Sequence, residues 1–228
     1  MSLVLVAIVL AIGAGAVVAV STRDAAAAPI GLAVALVGSA LLADPLPSAP
    51  ILGVRIVAAL LAATLIRWAA RGGPRQFSPL GWPSEALLAT AGAVAGLGLA
   101  VGLASISVGV GAGPTDGPGP IGPGVGLPSL PTGEVLTSMA LTVAAGTSLL
   151  VLGAAPMVHG RPGVRRAIGL VLVAQAVLLL RVGVAGPAVE LEEIARAAFL
   201  VACAGTGAAL AHATAVAHAT ATPHDGPA

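Results

Sequence analysis

The chain has very little charge and a single cysteine, and each shortage removes a class of protein. Only 8% of the 228 residues are charged, against about 25% in soluble domains, which excludes a water-facing globular surface. Lysine is missing: all ten basic residues are arginine, a pattern that reads as coding bias. A formal net charge of +1 supplies no basic field to release counterions from phosphates, so nucleic acid is not an expected partner. The single cysteine, Cys203, rules out an internal disulfide and a cysteine-based metal site. It lies in an apolar run and reads as inert core. No nucleophile, base and orienter form a constellation, and neither a Walker loop nor a Cys and His ligand set is present. His212 and His218 are six apart, which on a helix sets them on opposed faces, so they cannot chelate one metal. An active site within this chain is not expected, and neither is a cofactor or metal bound by it.

What the chain does have is apolar length. Hydrophobic residues make up 57% of it, with a mean hydropathy of +1.05. Seven runs approach the ~20 residues that carry an α-helix across ~30 Å of hydrocarbon. They lie near residues 2–20, 25–43, 50–69, 85–109, 135–156, 164–184 and 194–216. Continuous runs of this kind are helices and not the alternating segments of an outer-membrane barrel. The expected fold is all-α, a polytopic transmembrane bundle of about seven helices. The first run lacks a positive n-region and exceeds a usual signal-peptide core, so it is kept as a helix. Gly13 and Gly15 within it lack the rest of a dinucleotide fingerprint and read as small residues for close helix packing.

Residues 111–133 are too rich in Gly and Pro to hold a helix and read as a flexible or polyproline-like extracytoplasmic loop. It divides the chain into an N-terminal four-helix region, 1–110, and a C-terminal three-helix region, 134–217. The tail, 218–228, is polar and expected to be disordered. Trp68 and Trp82 flank the basic break at 71–86, as interfacial anchors do. If the helices alternate, Arg23, Arg67, Arg71, Arg75, Arg161, Arg165 and Arg166 share one side. Asp44, Asp116, Glu190, Glu192 and Glu193 then share the other. The positive-inside rule makes the arginine side cytoplasmic, with the amino terminus outside and the carboxyl terminus inside a prokaryotic inner membrane.

The rare polar groups within or beside the helices are the candidate site. Arg55 lies a few residues inside the third helix, where a charge is costly. Three readings are open for it: outward snorkelling to headgroups, an element of an ion path, or a structural ion pair. Arg181 closes the sixth helix, and Glu190, Glu192, Glu193 and Arg196 follow a short turn at the same face. Glu192 and Arg196 are spaced i, i+4, as an ordinary exposed pair. The less ordinary alternative is a buried contact with a partner subunit, made by Arg55, Arg181 and the acidic turn. Gln175, in the middle of the sixth helix, is expected to make an interhelical hydrogen bond.

RPGVRRAIGLVLVAQAVLLL followed by GPAVELEEIARAAFLVACAGTGAALA resembles the carboxyl-terminal half of the E-type membrane subunit of hydrogenase-4 and formate hydrogenlyase complexes. That subunit is itself similar to the small K-type subunit of respiratory complex I. The STRD turn, Arg55, RWAARGGP and GLPSLPTGEVLTSMAL extend the resemblance over nearly the whole chain. It implies a basic residue at Arg55 and intramembrane carboxylates near Ala174 and Ala197. Both carboxylates are replaced by alanine here. The resemblance therefore implies a copy that scaffolds a membrane arm without carrying the proton, unless Glu193, one turn before Ala197, is a displaced substitute.

The leading expectation is an accessory membrane subunit of a hydrogenase-4, complex I or Mrp antiporter-like assembly that couples redox chemistry to proton or sodium movement. Its partners would be the lipid bilayer and larger antiporter-like and hydrogenase-module subunits. The alternative is a free-standing small transporter, against which stand a midplane nearly bare of ionisable groups and a division into four and three helices. A membrane-embedded enzyme would need a constellation that the sequence lacks.

Overall fold

The computed structural model describes residues 3–22, 27–42, 48–71, 82–111, 138–159, 163–186 and 188–221. These residues form seven α-helices and no strand. They are α1 (Leu3–Ser21), α2 (Ala27–Ala40), α3 (Ala49–Ala70), α4 (Trp82–Gly111), α5 (Ser138–His159), α6 (Val164–Ala185) and α7 (Glu190–Ala221). The Gly/Pro-rich loop beyond Gly111, the break at 72–81, the tail beyond Ala221, and Arg23, Arg75, Arg161, Asp44 and Asp116 lie outside the described residues.

Among the described residues the apolar stretches of α2 and α4, Ala27–Ala40 and Ala86–Leu99, are shorter, and five helices, α1, α3, α5, α6 and α7, are long and apolar enough to cross a membrane. Their outer faces carry large apolar side chains such as Leu10, Leu60, Phe199 and Leu210, all about half exposed or more. In water such a surface would aggregate; in lipid it is solvated. Helix α2 falls short of its expected length. The apolar run at 25–43 predicts a span, but the helix has 14 residues, ~21 Å at 1.5 Å per residue. It ends beside polar groups of other helices, described below. Helix α7 departs in the other direction, starting four residues early and running to Ala221, so the first residues of the expected tail are helical. Three carboxylates in its first turn, Glu190, Glu192 and Glu193, face the positive end of its dipole, which favours that early start.

Helix α6 is the centre of the bundle. It packs along α5 and α7 and also touches α1, α2 and α3, while α4 lies against α5 and α1. Ile168, Val171, Leu172 and Ala176 of α6 are fully enclosed with Leu149 and Leu152 of α5 and Leu32 and Leu36 of α2. Two hairpins close through glycine. A Cβ added at Gly31 would stand 2.6 Å from the Gly15 carbonyl oxygen, and one at Gly169 would stand 2.7 Å from that of Gly153. Only hydrogen fits there, so α1 and α2, and α5 and α6, meet backbone to backbone. Glycine also brackets α6: Gly163 (φ 135°) and Gly186 (φ 82°) have the positive φ that other residues rarely adopt. Hydroxyls tie α4 to α5, with Thr147 Oγ1 donating to Gly92 O at 2.8 Å and Ser148 Oγ to Ala89 O at 3.1 Å.

Candidate functional site: a paired-charge cavity at one end of the bundle

The end of α2, the starts of α3 and α7, and the C-terminal half of α6 meet at one end of the bundle. There Arg55 does not snorkel. Its guanidinium turns into the protein and grips Glu193 of α7 with two bonds, Nε to Oε2 at 2.8 Å and Nη2 to Oε1 at 2.7 Å. The fork matches the planar carboxylate, the strongest geometry for such a pair. Glu193 is buried, its side chain 5% exposed, and Arg55 is 19% exposed. The structural ion pair is thus the arrangement observed, and it is internal to the chain.

Arg196 completes the grip, with Nη1 reaching Glu193 Oε1 at 3.0 Å and Nη2 reaching Glu192 Oε1 at 2.7 Å. The i, i+4 pair expected between Glu192 and Arg196 is present, but Arg196 is buried, so it is not an ordinary exposed pair. Arg181, near the C-terminal end of α6, meets Glu192 at 2.5 Å on the exposed rim. Glu190 is exposed in the first turn of α7. Five of the seven residues singled out by sequence therefore form one network: Arg55, Glu193, Arg196, Glu192 and Arg181.

Gln175, the sixth, sits deeper. Its Nε2 donates to Ser39 Oγ at 2.8 Å, and Ser39 Oγ donates to Leu36 O at 2.6 Å. This is the interhelical hydrogen bond expected of it. Arg55 Nη1 approaches Ala40 O at 3.5 Å. A cation thus faces the last carbonyls of α2, where the helix dipole is negative and backbone acceptors lack helical partners. A helix that ends short among side chains needs such company, and Arg55 and Gln175 supply it from α3 and α6.

These groups surround a cavity of ≈ 70 Å³, room for several waters by the usual minimum of ~10–15 Å³ for one. Thr142 of α5 adds a hydroxyl to its wall, and Ala197 lines it one turn beyond Glu193. Ala174 is buried on α6 but is not part of that lining. Ser39 and Thr142 were not singled out from the sequence. A lone hydroxyl in an apolar helix usually bonds back to its own backbone, and the only hint was Ser39 standing next to Gly38 in an otherwise aliphatic run.

Away from the cavity, Trp68 stacks on His212 with ring centroids 5.7 Å apart, joining α3 to α7 near their other ends. Cys203 is half-buried against the core. Among the described residues no group of three His, Cys, Asp or Glu side chains is placed to hold a metal.

Fold and site together define a helical multi-pass membrane protein with a small polar cavity framed by ion pairs. Comparison with protein-family models, with curated proteins and with solved structures finds no match for the chain.

Proposed function

We propose that this chain is an accessory membrane subunit of an energy-converting complex of the hydrogenase-4, complex I or Mrp antiporter type. In this reading it sits in a prokaryotic inner membrane with its amino terminus outside. One observation carries the proposal. The resemblance implies a carboxylate near Ala197 and a basic residue at Arg55; Ala197 lines the cavity, and Glu193, one turn earlier on the same face of α7, is bonded there to Arg55. Glu193 thus supplies a carboxylate to the cavity that position 197 would have served. Held by both Arg55 and Arg196, that carboxylate supports a copy that scaffolds the membrane arm.

The partners would be larger antiporter-like and hydrogenase-module subunits, docked on the apolar helix faces. A tagged copy extracted from its native membrane in mild detergent tests this, with co-purifying chains identified by mass spectrometry. Recovery with large membrane subunits and an iron–sulfur or nickel–iron module supports the proposal. Recovery as a lone monomer or homodimer overturns it.

A second reading, a free-standing small transporter, is favoured by the cavity itself, because secondary transporters bind substrate within the bilayer between groups of helices. Transport of an ion or polar solute by the purified chain in liposomes would move the conclusion to this reading.

A further inference from the structure

The Arg55–Glu193 pair spans 138 residues, and the same offset recurs along the chain. It carries Gly15 to Gly153, Arg23 to Arg161, and Ile30-Gly31-Leu32 to Ile168-Gly169-Leu170. It superposes the α1, α2 and α3 stretches on those of α5, α6 and α7. The glycine crossing that closes α1 on α2 is the one that closes α5 on α6. Burial follows the same register: Ala59 and Ala197, Ala62 and Leu200, Ile66 and Ala204, and Ala70 and Ala208 are buried in pairs. Between the two sets, α1 touches α5, α2 touches α6 and α3 touches α7. Helices α3 and α7 run parallel, joined by Arg55–Glu193 near their starts and Trp68–His212 towards their ends. The chain is therefore three helices, one connecting helix, and the same three helices again. The division into four and three about the Gly/Pro-rich loop hides this repeat.

The cavity lies between the two units, walled by residues of both. Its wall holds two cations, Arg55 and Arg196, and one anion, Glu193. The Glu192–Arg181 pair at the rim is neutral in sum and leaves that excess unchanged. In a low-dielectric setting an entering sodium or hydronium ion would meet two guanidiniums, whereas an anion would be drawn in. The donor inventory points the same way. Arg55 commits three of its five N–H groups, to Glu193 and Ala40, and the Gln175 amide nitrogen carries a second N–H beyond the one given to Ser39. We propose that the cavity between the two repeats is a binding site for a small monovalent anion of the size of chloride or nitrate. The site does not depend on the chain belonging to a larger complex.

The test uses the purified full-length chain in mild detergent at constant ionic strength. Gluconate is exchanged for chloride or nitrate, and separately sodium for choline, while thermal unfolding is followed by circular dichroism. The expected result is a saturable rise in melting temperature with chloride or nitrate, roughly 3–6 °C at ten times the dissociation constant, and no response to sodium. Gln175→Leu keeps the ion pairs and should weaken the anion response at least tenfold in midpoint concentration. Gln175→Met, closer in shape, serves the same purpose if Gln175→Leu does not fold. No anion response, a non-saturating response equal in wild type and variants, or a response that follows sodium would each overturn the assignment. Because no partner is present, failure here leaves the pull-down result untouched, and the reverse holds too.

Discussion

Glu193→Ala is the most informative single perturbation, because one carboxylate holds two arginines from two helices. Its removal leaves Arg196 with Glu192 at 2.7 Å but leaves Arg55 with only a 3.5 Å approach to Ala40 O. Breaking a buried pair from one side costs about 3–5 kcal/mol, because the surviving charge stays buried. Arg55 is 19% exposed and can relax partly towards headgroups, which places the loss near ~3 kcal/mol. For a chain of this length that is a fall in melting temperature of roughly 6–12 °C, read by circular dichroism at 222 nm in detergent. The paired replacement of Arg55→Met with Glu193→Leu should recover most of the loss, since two apolar groups strand no charge. Glu192→Ala at the half-exposed rim should cost ~1 kcal/mol or less. If Glu193→Ala unfolds within ~0.5 kcal/mol of wild type, or if the Arg55 and Glu193 effects simply add, the pair is not holding α3 to α7 and the argument fails.

Three further outcomes follow from the packing. Gly31→Ala should destabilise by about 1–3 kcal/mol, since its Cβ would stand 2.6 Å from Gly15 O, whereas Gly53→Ala, with nothing within 4 Å of the new Cβ, should stabilise by ~0.5–1 kcal/mol; thermal melts of the two side by side decide this. Ser148→Ala removes the 3.1 Å bond to Ala89 O and should cost ~0.6 kcal/mol, the average of such bonds between membrane helices, with faster proteolysis of α4 as the sensitive readout. In a Cys203→Ala background, single cysteines at Ser48 and Val189 should react with an impermeant maleimide from one face of sealed vesicles, and one at Arg71 from the other; labelling of Ser48 and Val189 from opposite faces would contradict the shared end at which Arg55 meets Glu193.

The helices were legible because lipid imposes one rule on every residue of a span, and a run of Val, Leu and Ala announces itself without tertiary information. The limits of that rule explain the errors at the ends. Leu41 and Leu42 are apolar enough to extend α2, yet the helix stops at Ala40, where Arg55 and Gln175 from distant segments meet its end. Helix α7 begins early because its first turn is acidic, a local electrostatic effect that a hydropathy window averages away. Most of the site was visible for a similar reason: Arg55, Gln175, Glu193 and Arg196 are conspicuous in so apolar a chain. Their pairing was not visible. Which arginine meets which glutamate depends on how α3 lies against α7, and nothing in a 138-residue separation fixes that. The repeat was present in the letters but muted, because its most telling position holds Arg in one copy and Glu in the other.

That opposition has a consequence for what each half can recognise. Two identical units facing each other across a two-fold axis place every axial residue against its own twin, and an arginine there would repel itself. With arginine in one half and glutamate in the other, self-association is penalised in both directions while the mixed pairing is rewarded, the same logic that sorts heterodimeric coiled coils. The two halves are thus complementary at this position, and the linkage through α4 guarantees one of each.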